Sequence, residues 1–463
     1  MPPRQLAAAV CLCLAAAAQA NDKVTIPGEE FEQLLATYAL VKSQYVGPVD
    51  ERKLLTAAID GMLASLDPHS QYLDKDALAE LEKDRTGEYV GIGIEVEVAE
   101  GRMQVVGVIE DGPAAQAGVE AGDTIVALNG EPIQGLAAPE VARRMRGVPG
   151  TALSLGLLRG GKGDVRNLDV TRAALRAETV RTRMAAPGVA WIRISSFEGQ
   201  TAADLVAALR ALDGKQAPRG IVLDLRNDPG GLVSAAVGVA GAFLPADTVL
   251  FSARGRMAGA NSTVTVDPRY YRGPGEADVL ANLPAWTRTV PLAVLVNGAS
   301  ASCAELLAGA LQDNGRAQVI GTQTFGKGSI QSVIPLSDDS AVKMTVARYF
   351  TPKGHEIQAR GITPDVVVLP DAAKDGLEGM VLRETDLARH LPASLPAQGA
   401  DAAAPPRAVV ESTRSFGGAG DKALAAAVGL LAPDLGLAHD AGVLLRKLGL
   451  TLQAALPGAA KAL

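Results

Sequence analysis

The sequence predicts a multidomain α/β protein, in which a core of mostly parallel strands and helices carries an inserted β-rich module and is flanked by helical regions at both ends. Three observations carry this prediction. Apolar runs of strand length alternate with helix-length segments after residue 174, short alternating runs broken by Gly-containing turns fill 86–173, and helical apolar spacing occupies 21–85. At 463 residues the chain is also too long for one ordinary core.

The first twenty residues read as a signal peptide: Arg4 supplies a positive start, residues 6–18 are an apolar run, and Ala18-Gln19-Ala20 offers small residues for cleavage. That run is too short to span a bilayer. No later stretch reaches the roughly 18–20 uninterrupted apolar residues a membrane helix needs, so no integral membrane segment is expected in the mature chain. A short Ala-rich export signal implies secretion across the inner membrane, with a bacterial periplasm as the expected address. Cys11 and Cys13 fall within this leader, and neither sits in a lipoprotein cleavage box. Cys303 is then the single mature thiol, which excludes an internal disulfide and leaves stability to core burial.

Hydrophobic residues at 48 % and charged residues at 21 % suit a soluble globular chain rather than a disordered one. The net charge of -7, with no dense Lys/Arg block, argues against nucleic acid or an anionic membrane surface as partner. His69, His355, His390 and His439 are scattered and lack Cys partners or a His-Glu-x-x-His pattern, so no metal and no cofactor is expected.

In chain order, 29–85 reads as helical through Phe31, Leu34, Leu35 and Tyr38, then Leu54, Leu55, Ile59 and Met62. Leu66-Asp67-Pro68-His69-Ser70 interrupts it as a turn. Strand-like runs follow at 92–98 and 103–109, then a short helix at 114–117, a strand ending in the Asn129-Gly130 turn, a helix over 139–146 and a strand at 153–159. After Thr171, strands at 189–194, 220–225 and 292–296 alternate with helices at 202–212, 232–243 and 303–313, the pattern of parallel βα units. An insertion over 254–290 with Tyr270, Tyr271 and Trp286 is either a lid or a surface excursion. Beyond residue 371 an Ala/Pro-rich linker over 393–407 precedes helical texture after Asp421.

The chemistry concentrates in two segments. In Asn297-Gly298-Ala299-Ser300-Ala301-Ser302-Cys303-Ala304-Glu305 an apolar strand runs into a small-residue turn and Ser302 opens a helix. Ser302 and Glu305 make a Ser-x-x-Glu capping box, which is sufficient reason for both residues. The same geometry also leaves free N–H groups able to stabilise an oxyanion, and a serine so placed lacks only a base. The second segment, Phe325-Gly326-Lys327-Gly328-Ser329-Ile330-Gln331, offers one lysine among glycines and apolar neighbours. An ordinary lysine, with a pKa of roughly 10.4, cannot take a serine proton near neutrality. Burial disfavours the ammonium and can turn a lysine into a general base; otherwise Lys327 is a solvated loop residue. Gln331, four residues on, is read as lying on the same face and orienting the amine.

These two segments, with Leu223-Asp224-Leu225-Arg226-Asn227-Asp228-Pro229-Gly230-Gly231, resemble in order and spacing the signature of the carboxyl-terminal processing peptidases, or tail-specific proteases. The similarity runs from about Tyr38 to Asp365, including the 66–70 turn and Arg360-Gly361-Ile362-Thr363-Pro364-Asp365; after Ala372 it is confined to Asp421-Lys422-Ala423-Leu424. It implies a crotonase-like α/β peptidase core over 174–371 and a serine endopeptidase with Ser302 as nucleophile, Lys327 as general base and Gln331 assisting it. It also implies an oxyanion hole from Gly230 or Gly231 with the N–H of Cys303. Cys303 departs from the family's usual Ala or Ser and is read as a packing residue rather than a reactive thiol.

The module over 86–173 resembles a PDZ domain, with Tyr89-Val90-Gly91-Ile92-Gly93-Ile94 as carboxylate-binding loop and first strand. In related enzymes an arginine of this module couples peptide binding to active-site assembly, and Arg159 is the residue chosen for it here. The implied partners are unfolded or C-terminally exposed protein substrates, an activating adaptor and further copies of the chain in a homo-oligomer. Two other classes stay open. A PDZ scaffold with an inert or conditionally active peptidase fold is one, and an acyl-CoA enzyme of crotonase type is the other, although the latter leaves the PDZ-like region and Lys327 without a task.

Overall fold

A computed structural model of the protein describes residues 27–368, 383–394, 416–417 and 421–431, apart from 87, 100–101, 109–111, 121, 135, 137, 160–163, 177 and 214–216. The leader, most of the 393–407 linker and the chain beyond 431 lie outside the described residues. The chain divides into two compact units, one of residues 79–178 and one of 1–78 with 179–463.

The larger unit begins with helices α1 (Gly28–Gln44) and α2 (Glu51–Ala64), strand β1 (Gln71–Leu73) and the start of α3 (Lys75–Thr86). Asp50 caps α2 by accepting the Lys53 N–H. The apolar residues that predict these helices are not core residues here: Phe31, Leu34, Leu35, Leu55, Ile59 and Met62 are all exposed.

The smaller unit holds β2 (Glu88–Gly91), β3 (Ile94–Ala99), β4 (Arg102–Val108), α4 (Pro113–Gln116), β5 (Thr124–Leu128), β6 (Glu131–Pro132), α5 (Ala138–Met145), β7 (Ala152–Leu158), β8 (Arg166–Thr171) and β9 (Ala173–Arg176). Its main sheet runs β3-β4-β5-β7-β8 with all pairs antiparallel, β6 joins β5, and β2 pairs β9. Val105, Ile125, Leu128, Val141, Leu153, Leu155 and Leu157 form its core.

The larger unit continues through β10 (Val180–Ala186), β11 (Val189–Ile194), α6 (Thr201–Asp213), β12 (Gly220–Asp224), α7 (Val233–Phe243), β13 (Val249–Gly255), β14 (Ser262–Thr265), α8 (Pro268–Tyr271), β15 (Leu292–Val296), α9 (Cys303–Asp313), β16 (Gln318–Gly321), β17 (Ser329–Ser337), β18 (Ser340–Phe350), β19 (Val366–Val367) and α10 (Lys422–Leu431). Strands β11, β12, β15, β16 and β19 pair in parallel, and β10 adds antiparallel to β11. Both faces of this sheet are covered, which is why β12 and β15 read as continuous apolar runs. Ile192, Leu223, Val294 and Val296 enter the core with α6, α7 and α9, whereas Trp191, Val222, Ala293 and Leu295 meet Ala423, Leu424 and Ala427 of α10.

A second sheet, β1-β18-β13-β14 with β17 on β18, is wholly antiparallel and was not foreseen. The 254–290 insertion is docked against the core. Tyr270, Tyr271 and Trp286 pack against the core beside α7, and the Trp286 indole N–H donates to Asp213 Oδ1 at 2.8 Å.

Candidate active site

Three adjacent parallel strands, β12, β15 and β16, deliver their carboxyl ends to one region, where open α/β sheets bind ligands. The loops that follow them carry the predicted residues and are laced together. Asn227 N–H donates to Asn297 Oδ1 at 3.0 Å, and Asn297 Nδ2 returns a bond to Asn227 Oδ1 at 2.7 Å. The Ser300 hydroxyl donates to the Leu225 carbonyl at 2.7 Å, Ala301 N–H to that of Asp228 at 2.8 Å, and Phe325 N–H to that of Ser300 at 3.0 Å.

Ser302 stands at the N-terminus of α9 with φ 53° and ψ -114°, outside the regions an L-residue prefers. Such a conformation costs on the order of 1–3 kcal/mol and persists only when neighbours impose it. Here Glu305 Oε2 accepts the Ser302 N–H at 2.8 Å, and the Ser302 carbonyl accepts from Leu306 N–H at 2.9 Å. Glu305 thus closes its half of the Ser-x-x-Glu capping box.

Glu305 is fully buried and serves far more than the helix start. Its Oε1 accepts from the Thr324 hydroxyl at 2.6 Å and Gly326 N–H at 2.7 Å, while Oε2 accepts from Lys327 N–H at 2.9 Å as well as from Ser302. Burial pushes its pKa up to about 7, against four hydrogen bonds that favour the anion. Lys327 itself is half-buried rather than sealed, and its amine makes no ion pair or hydrogen bond among the described residues. Lys343 on β18 is a like-charged neighbour whose pKa is lowered by burial and then by the charge of Lys327.

Gln331 does not bond Lys327. Its Nε2 donates to the hydroxyls of Ser329 at 2.9 Å and Thr345 at 3.1 Å. Lys327 precedes β17, and a bulge falls between Ile330 and Gln331, so no regular period relates the two side chains.

Gly230 and Gly231 adopt φ 96° and 144°. A Cβ on Gly230 would lie 2.8 Å from that of Ser302, and one on Gly231 would lie 2.2 Å from the Phe197 carbonyl oxygen, so both positions exclude a side chain. The Gly230 N–H is already spent on Asp228 Oδ1 at 2.8 Å. The Cys303 N–H makes no backbone hydrogen bond among the described residues, and the Gly231 N–H lies against the Cys303 thiol, whose pKa it acts to lower. Asp228 is buried with Oδ2 unpartnered, and desolvation raises its pKa well above the usual carboxylate value. The Cys303 thiol donates to the Gly231 carbonyl at 3.2 Å, and burial pushes its pKa up to about 12, which makes it a packing group.

In the smaller unit, Tyr89, Val90 and Gly91 pair within β2, Ile92 is buried, Gly93 turns at φ 78°, and Ile94 opens β3. Strand β3 is the edge of its sheet, with β4 on one side and no strand on the other among the described residues. Arg159 is engaged inside this unit. It donates to the Gly118 carbonyl at 2.9 Å, pairs with Glu120, and approaches Asp123 at 2.7 Å as an ion pair without hydrogen-bond alignment.

The model for Peptidase family S41 matches residues 188–368, that for the PDZ domain 104–159, and that for the activating protease CtpB N-terminal domain 11–77. A carboxy-terminal-processing protease of Bartonella bacilliformis is 40 % identical over 357 residues, covering 76 % of this chain and 78 % of that protein. The chain belongs to peptidase family S41. This S41 chain, a serine peptidase, is also 34 % identical to carboxy-terminal processing protease CtpA of Bacillus subtilis, over 74 % of its own length and 70 % of the relative. The solved photosystem II D1 C-terminal processing protease aligns at 30 % identity over 74 % of this chain and 88 % of that one, with a TM-score of 0.45.

The fold brings together three segments that the sequence singled out, those of Ser302, Lys327 and the glycine turn. Sequence reasoning read Glu305 only as a cap and passed over Thr324, Gln358 and Glu384, because their contacts join segments distant in sequence.

Proposed function

We propose that this S41 peptidase is an exported endopeptidase that cuts proteins near a C-terminal tail through a Ser302–Lys327 dyad. Lys327 Nζ, as the free amine, takes the Ser302 hydroxyl proton while Oγ bonds to the scissile carbonyl carbon. The resulting oxyanion accepts from the N–H groups of Gly231 and Cys303. Collapse expels the downstream amine, which takes the proton from Lys327. Water then cleaves the acyl-enzyme ester with Lys327 again as base. Gln331 Oε1, the end of the amide left by its bonds to Ser329 and Thr345, receives the ammonium between steps.

The observation that carries this reading is the shared acceptor Glu305 Oε2, which fixes the backbones of Ser302 and Lys327 to one point. The open edge of β3, beside the Gly91 and Gly93 turn, suits an extended tail whose carboxylate meets backbone N–H groups. Arg159 is the residue that couples tail binding to active-site assembly. Envelope proteins with exposed apolar tails are the substrates, an adaptor supplies activation, and the exposed apolar residues of α1 and α2 support self-association.

The deciding experiment is intact-mass analysis of an unstructured protein with an apolar C-terminus after incubation with wild type, Ser302→Ala and Lys327→Ala. Cleavage by wild type alone is expected. Undiminished cleavage by either variant removes the dyad.

A further inference from the structure

The turn at 66–70 has no task in the mechanism above, yet it reaches the lysine loop by two routes. On the first, His69 Nε2 lies 3.1 and 2.9 Å from the two carboxylate oxygens of Glu384, a residue 315 positions away and fully buried. A ring nitrogen facing a carboxylate at this distance carries the proton. Glu384 Oε1 also accepts from Gln358 Nε2 at 2.9 Å, and Gln358 Oε1 accepts the N–H of Gly328, the residue after Lys327, at 3.0 Å. The Glu384 N–H donates to the Phe325 carbonyl at 3.1 Å, and Arg383 Nη2 donates to the Thr324 carbonyl at 3.3 Å. The segment 383–391 thus holds the loop on both sides of Lys327.

On the second route, buried Asp67 accepts from the N–H groups of His69 and Ser70, each at 2.9 Å, and from the Ser70 hydroxyl at 2.9 Å. Ser70 Oγ accepts the Thr345 N–H at 3.1 Å, and the Thr345 hydroxyl accepts from Gln331 Nε2 at 3.1 Å. Apart from Arg383 Nε, which has no partner, the groups named on both routes bond one to the next, so a shift of the loop would leave further buried polar atoms unpaired.

We infer that His69 and Ser70, acting through Glu384–Gln358 and through Thr345, are positioning residues that brace Lys327 and Gln331 for proton transfer. The inference rests on Lys327 being the base. The brace makes base geometry depend on two segments outside the 174–371 core: the N-terminal region that ends in the 66–70 turn, and the strap at 383–391. Its effect belongs to kcat, because it sets the orientation of the base and not the fit of the tail.

The test is kcat and KM for cleavage of the same unstructured protein by full-length Glu384→Ala, Glu384→Gln and Ser70→Ala, with a melting curve for each. Glu384→Ala should lose about 10- to 100-fold in kcat, the scale of a misplaced catalytic group, with KM within about twofold. Glu384→Gln, which still accepts at Oε1, should recover most of that loss, and Ser70→Ala should show the same split more weakly. Should Glu384→Ala not fold, Ser70→Ala gives the reading by itself. Wild-type kcat in Ser70→Ala and in any folded Glu384→Ala, or losses that track melting temperature and are not rescued by Gln, overturns the brace. Lys327→Ala separates the two readings: if it is inactive while Glu384→Ala and Ser70→Ala are fully active, only the brace fails, and if it is active, the base assignment fails first.

Discussion

The backbones of Ser302 and Lys327 hang from a single atom: Glu305 Oε2 accepts the N–H of each, at 2.8 and 2.9 Å. One carboxylate therefore sets the distance between the start of α9 and the loop after β16. Glu305→Gln keeps the volume but turns one acceptor oxygen into an NH2 that faces N–H donors. We expect kcat to fall by about 10- to 100-fold while KM for a tailed substrate stays nearly constant, since the loss lies in orientation. Steady-state kinetics on the folded variant checks it.

The same residue makes stability and activity respond to pH in opposite directions. Burial holds the folded pKa at about 7 against an ordinary 4.5, so between those values the folded chain keeps a proton that the unfolded chain has released. Stability contributed by Glu305 is therefore full below about pH 4.5 and is lost as pH rises through about 7. Activity runs the other way, because a protonated carboxyl becomes a donor and gives up an N–H that the anion accepts. Denaturant melts and kcat profiles from about pH 5 to 8.5 should show both slopes in wild type and shallower ones in Glu305→Gln, where the part due to other titrating groups such as Asp228 remains.

The glycine turn gives a sharper loss. An added Cβ at Gly231 would lie 2.2 Å from the Phe197 carbonyl oxygen at a φ of 144°, so Gly231→Ala must displace the N–H assigned to the oxyanion. A fall in kcat of about 100- to 1,000-fold is expected, the scale of one lost oxyanion donor. Acylation by a serine-directed fluorophosphonate, followed by mass, should slow in parallel.

How far the sequence reached depends on burial. Strands β11, β12 and β15 were legible because both their faces are covered and their residues are nearly all apolar. The β17–β18 hairpin was missed because most of its residues are half-buried or exposed and mix Gln, Ser, Lys, Thr and Arg with apolar ones, although Ser337-Asp338-Asp339-Ser340 marks its turn. Ser302 and Glu305 were read as a cap because three-residue spacing is all that a local pattern contains. That Glu305 also serves Thr324, Gly326 and Lys327 is a fact of the fold alone. Gln331 was placed on Lys327's face by a period that the bulge at Ile330 breaks.

The motif residue Arg226 leads to the last prediction. Its guanidinium, 1 % exposed, is held bidentately by Asp224, with bonds of 2.9 and 2.6 Å, and by Asp421, also at 2.9 and 2.6 Å. It also lies 4.4 Å from the centre of the Phe416 ring. Asp421 in turn accepts the Leu424 N–H at 2.9 Å and so caps α10. Burial opposes every charge here, yet Arg226 keeps Asp224 below its usual pKa, and the two acids hold Arg226 well above its own. Arg226→Met takes the guanidinium from both buried carboxylates and leaves Asp224 only the longer contact to Arg193 at 3.6 Å, so it should cost about 3–5 kcal/mol of stability. Asp421→Asn removes one charge and keeps an oxygen for the helix cap, so it should cost less and free α10 first. Denaturant unfolding read by hydrogen exchange in 422–431 would separate the two: equal losses, or protection of α10 unchanged in Asp421→Asn, would mean that Asp421 does not hold this helix to the sheet.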